Sequence, residues 1–199
     1  MSLPVVAIVG RPNVGKSTLV NRIVGRREAI VEEQPGVTRD RKELEADWGG
    51  RRFTVVDTGG WLATSDGLDA KVSEQAERAI RAADVVLFVA DGSVGVTEED
   101  DQVAAVLRRA RRPVLVVVNK VDSEHRETDA WDFARLGLGD PVAVSALHGR
   151  QVGDLLDAVV ERLPPPGPDE TAGEDDELPK VPSVAVVGRP NVGKSTLFN

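Results

Sequence analysis

The sequence contains no cysteine, which removes disulfide frameworks and thiolate metal sites from consideration and fits a reducing compartment. It also has no apolar run approaching the ~18 residues that a membrane-spanning helix needs. The opening Met1-Ser2-Leu3-Pro4 has neither the basic segment nor the long apolar segment of a secretion signal. Strand-like sequence begins at once, so a cytoplasmic location is the default expectation. A surplus of positive charge is missing too. The formal net charge of −8 argues against these 199 residues forming a nucleic-acid-binding module alone, and no DNA binding is expected. The 41% hydrophobic and 29% charged content is that of an ordinary globular protein.

The acidity is concentrated. Between Pro164 and Lys180 the chain carries Asp169, Glu170, Glu174, Asp175, Asp176 and Glu177 against a single lysine, after the run Pro164-Pro165-Pro166-Gly167-Pro168. Such a stretch has too little apolar surface to repay the entropy of folding and reads as a solvated linker over 164–181. The expected organisation is a first domain over 1–163, that linker, and the start of a second domain over 182–199.

The first domain is organised around Gly10-Arg11-Pro12-Asn13-Val14-Gly15-Lys16-Ser17-Thr18. The preceding Val5-Val6-Ala7-Ile8-Val9 is short, β-branched and free of polar residues, as suits a strand buried on both faces of a parallel sheet. Gly10 and Gly15 permit the dihedrals that close successive N–H groups around phosphate oxygens. Lys16 brings a point charge to the terminal phosphates. The Ser17 hydroxyl is placed to ligate Mg²⁺ at the start of a helix whose dipole favours anions. The spacing satisfies the phosphate-loop pattern G-x-x-x-x-G-K-[ST] in full.

Helical spacing of Leu19, Val20, Ile23 and Val24, with Gly25 as stop, predicts strand, loop and helix in succession. Residues 26–40 show no period and contain Pro35-Gly36, so they read as a loop. Its Thr38 is a candidate for Mg²⁺ through the hydroxyl and for a γ-phosphate through the N–H. Residues 42–48 and 52–56 around Gly49-Gly50 predict an antiparallel hairpin at a sheet edge. Asp57-Thr58-Gly59-Gly60 follows. A carboxylate at the end of a buried strand is where phosphate-loop enzymes hold Mg²⁺, and Gly60 leaves its N–H open to a γ-phosphate.

A helix is expected over 67–83, a buried strand over 85–90, a helix from Thr97 to about Arg112, and a strand over 113–118. Asn119-Lys120-Val121-Asp122 ends that strand and selects the base. The Asp122 carboxylate can accept N1–H and the exocyclic amine of guanine, whereas adenine would leave it unpaired. Asn119 can bridge base and phosphate loop, and the Lys120 stem can lie across the purine. A short strand over 142–144 leads to Ser145-Ala146-Leu147, where small residues let the Ala146 N–H approach the guanine carbonyl. A helix over 152–163 closes the domain. His125 and His148 read as solvated loop residues, and Trp131 and Phe133 as core or partial core. The fold class predicted is therefore α/β: a phosphate-loop GTPase domain with a mostly parallel six-stranded sheet, one antiparallel edge strand, and helices on both faces.

Residues 184–199 then repeat residues 6–21, with only Ile8 replaced by Val186 and Val20 by Phe198. A second phosphate loop without its magnesium aspartate or guanine motif points to two successive GTPase domains of which this chain holds the first.

Two G-R-P-N-V-G-K-S loops, with P-G-V-T-R-D, D-T-G-G and N-K-x-D in the first domain, resemble the tandem GTPases of the bacterial Der (EngA) family, in the TrmE-Era-EngA group. The resemblance implies GTP/GDP and Mg²⁺ as ligands, GTP hydrolysis coupled to assembly of the large ribosomal subunit, and a KH-like domain further along. It also implies a K⁺ ion bound with help from Asn13. Trp61 stands where Ras-like enzymes place a water-orienting glutamine. A GTP-loaded binding module with negligible turnover, or a related GTPase acting in tRNA modification or at membranes, are the alternatives.

Overall fold

A computed structural model describes residues 3–25, 42–57 and 74–166. The chain divides into two units, Met1–Pro165 and Pro166–Asn199, and every element below lies in the first. The expected loop over 26–40, the motif residues Thr58, Gly59 and Gly60, Trp61, the first turns of the helix expected from residue 67, and the second phosphate loop lie outside the described residues.

The elements run β1 (Val5–Val9), α1 (Lys16–Val24), β2 (Lys42–Trp48), β3 (Arg51–Asp57), α2 (Glu74–Ala82), β4 (Val85–Asp91), α3 (Glu98–Ala110), β5 (Val114–Asn119), α4 (Glu127–Ala130), β6 (Val142–Ala143) and α5 (Val152–Arg162). They build one six-stranded sheet in the order β2-β3-β1-β4-β5-β6. Every pairing is parallel except β2 with β3 at the edge. Gly49 and Gly50 both take positive φ, 58° and 76°. These angles make the tight two-residue turn whose twist matches that of the flanking strands.

Successive strand residues point to opposite faces, and both faces are covered. Val6, Ile8, Phe53, Val55, Leu87 and Val117 pack with Leu19, Ile23, Leu155 and Val159 from α1 and α5. Ala7, Val9, Phe88, Val116 and Val118 pack with Ile80, Val103 and Leu107 from α2 and α3. Burial on both sides is why these strands are uninterrupted apolar runs rather than alternating ones. The β4 strand is buried at all seven positions. Edge strand β2 alternates more, and the indole N–H of its Trp48 donates to Asp157 Oδ1 at 2.7 Å, fastening the edge to α5.

The segment 124–136 departs from the sequence expectation. It winds as a 3₁₀ turn (Glu124–Arg126), α4, and a second 3₁₀ helix (Trp131–Leu136). His125 therefore sits in a helical turn rather than a loop, while His148 is in a loop and exposed. Trp131 is not core: it is 58% exposed, whereas Phe133 is 1% exposed. The cause is the period. With three residues per turn, Ala130, Phe133 and Leu136 share the buried face, and Trp131 falls on the other side. The last strand is also shorter than expected, ending at Ala143.

Candidate functional site

The C-terminal ends of β1, β3, β4 and β5 lie side by side, with β6 beyond β5, and the described chemistry-bearing motifs leave from these strands. At the first, Gly10 has φ 152° and a Cβ there would lie 2.2 Å from the Val89 carbonyl oxygen, so no other residue can make this turn. Val14 is buried in the core and anchors the middle of the loop, while Pro12 and Asn13 are exposed at its apex. Asn13 takes φ 64°, a left-handed conformation that asparagine tolerates better than most residues.

Helix α1 begins with Gly15 at its N-cap, with no side-chain cap and no acid in the first turn. Its leading N–H groups are thus left for another acceptor. Helix α3 is the opposite case. Thr97 and Asp100 form a full capping box, and Glu98, Glu99, Asp100 and Asp101 crowd its first turn. One helix start is closed against anions and the other is open.

The Lys16 ammonium donates to the Gly10 and Arg11 carbonyl oxygens at 2.8 and 2.6 Å, leaving one of its three N–H bonds for a ligand. It is 5% exposed. Burial pushes its pKa below the ordinary amine value, partly offset by the Asp57 carboxylate and reinforced by the Arg11 guanidinium. An arriving polyphosphate adds counter-charge beyond the partial compensation that Asp57 gives this buried cation. Beside it, Ser17 Oγ donates to Asp57 Oδ2 at 3.1 Å. These are two hard oxygen ligands at one point, and no group of three or more metal-binding side chains occurs among the described residues. That donor set fits Mg²⁺, which keeps several waters and takes phosphate oxygens instead of filling an all-protein cage.

The other end of the site is joined to the loop through Asn119, which is buried. Its Nδ2 donates to the Val14 carbonyl at 2.8 Å and its Oδ1 accepts the Ala146 N–H at 2.9 Å. Gly15 is required here for a second reason: a Cβ at that position would lie 2.3 Å from Asn119 Nδ2. Ser145 Oγ, fully buried, donates to Asp122 Oδ1 at 2.7 Å, turning the carboxylate. The Lys120 ammonium reaches the Asn13 carbonyl at 2.8 Å. The Ala146 N–H, expected from the sequence to approach a guanine carbonyl, donates to Asn119 Oδ1 in the protein alone. Leu147 stands exposed at the rim, beside a cleft of about 280 Å³ that Thr18 also lines.

The structure therefore brings together Gly10, Arg11, Pro12, Asn13, Val14, Gly15, Lys16, Ser17 and Thr18 with Asp57, Asn119, Lys120, Asp122, Ser145, Ala146 and Leu147. Thr38, Thr58, Gly59 and Gly60 lie outside the described residues.

Two supporting residues were not anticipated. Asp91, at the end of β4 and paired in register with Asn119, accepts Lys120 Nζ at 2.6 Å and the Ser93 N–H and hydroxyl. Its burial raises the pKa, but these donors outweigh it and hold the group below its ordinary value. A carboxylate ending a fully apolar strand was the available signal. Asp100 is the second. Its Oδ1 accepts Arg11 Nε at 3.0 Å, and its Oδ2 accepts the Thr97 N–H and hydroxyl. It is completely buried, so the α3 capping box also anchors the phosphate loop. Asp100→Ala is expected to cost about 2–4 kcal/mol in urea unfolding, since it removes a cap and strands a partly buried guanidinium. A loss under about 1 kcal/mol would contradict this.

A family model described as a 50S ribosome-binding GTPase matches residues 5–120 and 183–199. The protein named GTPase Der from Streptomyces coelicolor is 58% identical over 197 residues, 99% of this chain. That from Leifsonia xyli is 56% identical over 198 residues, 100% of this chain. The chain spans only 42% and 40% of the lengths of these relatives. Among solved structures, an Aquifex aeolicus Era variant bound to GDP·AlF4⁻ superposes with a TM-score of 0.66 at 30% identity, covering 84% of this chain and 59% of Era. Era in complex with MgGDPNP and nucleotides 1506–1542 of 16S ribosomal RNA gives a TM-score of 0.67 at 30% identity, with the same coverage. The G domain of the Thermotoga maritima FeoB iron transporter gives 0.58 at 26% identity, covering 80% of this chain and 98% of that domain.

Proposed function

Since the chain belongs to the family of 50S ribosome-binding GTPases, we propose that it binds GTP with Mg²⁺, hydrolyses it to GDP and phosphate, and serves as the first of two such domains in a protein acting on the large ribosomal subunit. The observation that carries this reading is the set of hydrogen bonds linking Ser145 with Asp122, Ala146 with Asn119, and Asn119 with Val14 of the same loop whose Gly10 and Arg11 carbonyls hold Lys16. It sets a guanine-selective carboxylate and a phosphate-binding ammonium in one rigid frame. No helix among the described residues is long and apolar enough to cross a membrane.

Phosphoryl transfer to water asks mainly for positioning and charge stabilisation. The α1 N-terminus and loop amides bind the phosphates, Lys16 supplies fixed positive charge, and Ser17 with Asp57 and Thr38 would hold Mg²⁺, which neutralises charge on the phosphate oxygens. Asp122 and Lys120 orient the base. Thr38 and Gly60 would meet the γ-phosphate through their backbone N–H groups, with Thr58 and Gly59 as nucleotide-binding candidates of the same motif. Trp61 has no side-chain amide to orient the attacking water, and charge stabilisation is assigned to a bound cation. Asn13, exposed at the loop apex with an amide oxygen suited to a monovalent cation, would hold K⁺.

Steady phosphate release by residues 1–199 tests the enzyme reading. GTP turnover is expected to be faster in KCl than in NaCl, with the difference lost in Asn13→Ala. Equal rates in the two salts would remove K⁺ from the account. Tight GTP binding with release no faster than a Lys16→Ala control would replace the enzyme with a GTP-loaded binding module, the alternative that Trp61 leaves open.

A further inference from the structure

We propose that Arg22 is a positioning residue for base specificity, holding the guanine-reading loop at a fixed distance from the phosphate loop; the inference rests on the GTP-binding reading above. Arg22 lies in the last turn of α1, six residues beyond Lys16, or about 9 Å along the helix axis. Its Nε donates to the Ala146 carbonyl at 2.9 Å, and its Nη2 to the Leu147 carbonyl. A planar fork of donors engaging two successive carbonyls fixes direction as well as distance, which a lysine cannot do.

The loop is held from the opposite side by different atoms. Asn119 takes the Ala146 N–H, Asp122 takes the Ser145 hydroxyl, and that hydroxyl in turn accepts the His148 N–H at 3.2 Å. Beyond them, the Gly149 and Arg150 N–H groups close back on the Ser145 carbonyl at 2.7 and 3.1 Å. The Asn119 tie comes from the end of β5, the Asp122 tie from just beyond it and the Ser145 ties close within the loop, whereas the Ala146 and Leu147 carbonyls are held from α1 by Arg22. Arg22 is thus the link by which the helix that starts at the phosphates sets the place of the loop that reads the base. An arginine at a helix C-terminus also favours the dipole, but the dipole acts on every nucleotide alike. A specificity role does not.

The test uses the 199-residue chain, GDP and ADP as probes, and Arg22→Ala with Arg22→Lys. For Arg22→Ala the affinity for GDP is expected to fall about tenfold, the loss of a charged, paired hydrogen bond, while that for ADP stays within about twofold. Arg22→Lys, which keeps the charge and one bond, should recover part of the GDP affinity; it also serves if the alanine variant folds poorly. Equal weakening of GDP and ADP, or no change in GDP, would overturn the proposal. A wild-type chain with no preference for GDP over ADP would instead overturn the guanine reading on which it stands.

Discussion

Replacing Lys16 by alanine is expected to reduce GTP turnover by about 10³-fold or more while leaving the fold intact. The ammonium is buried and its charge is disfavoured in the free protein. The two carbonyls it holds belong to the phosphate loop itself. In stability the substitution removes a desolvation cost and two charge-assisted bonds together, so unfolding should shift by no more than about 1 kcal/mol. In function nothing compensates. Developing negative charge on the transferring phosphate loses a preorganised cation, and one such group is worth several kcal/mol. Phosphate release under saturating GTP, with a urea melt of the same preparation, separates the two effects. Unfolding together with inactivation would assign Lys16 a mainly structural role.

Asp122→Asn is expected to transfer preference from GTP to XTP. In the proposed reading the carboxylate accepts two donors from guanine. Xanthine replaces the exocyclic amine by a carbonyl, and an asparagine amide can donate to it while its oxygen still accepts the neighbouring N–H. The change is close to isosteric, and the Ser145 hydroxyl that orients Asp122 Oδ1 can bond an amide oxygen equally well. Affinity for GTP should fall by about 10³ to 10⁴, since the guanine amine then faces a donor. XTP should become the tighter ligand in competition against a fluorescent nucleotide. Loss of GTP affinity with no gain for XTP would mean that the base is not read by this side chain.

Much of this frame was legible because it is local. Unbroken β-branched runs marked the doubly covered strands, two glycines marked the hairpin, and Thr97 with its following acids marked the start of α3. The phosphate loop and Asn119-Lys120-Val121-Asp122 carry their spacing within a few residues. What escaped the sequence depends on positions far apart along the chain. Arg11 meets Asp100 across 89 residues, and Arg22 meets Ala146 across 124. Nothing near either arginine announces its partner. Trp131 was misplaced for another reason: an aromatic side chain alone suggested burial, whereas the three-residue winding turns Ala130, Phe133 and Leu136 inward and Trp131 outward. The Ala146 amide was expected to face a ligand, but in the protein alone a buried N–H must find an acceptor, and Asn119 provides it.

The measurement that tests the central claim most directly is equilibrium competition of GTP, GDP and ATP for the site of the 199-residue chain with Mg²⁺ present. Guanine nucleotides should displace a fluorescent GDP at concentrations at least about 10³-fold lower than ATP, and Gly15→Ala, which drives a methyl group into Asn119, should lose that selectivity. ATP competing as well as GTP would contradict the account, because the frame from Asp122 to Lys16 would then hold a nucleotide without reading its base.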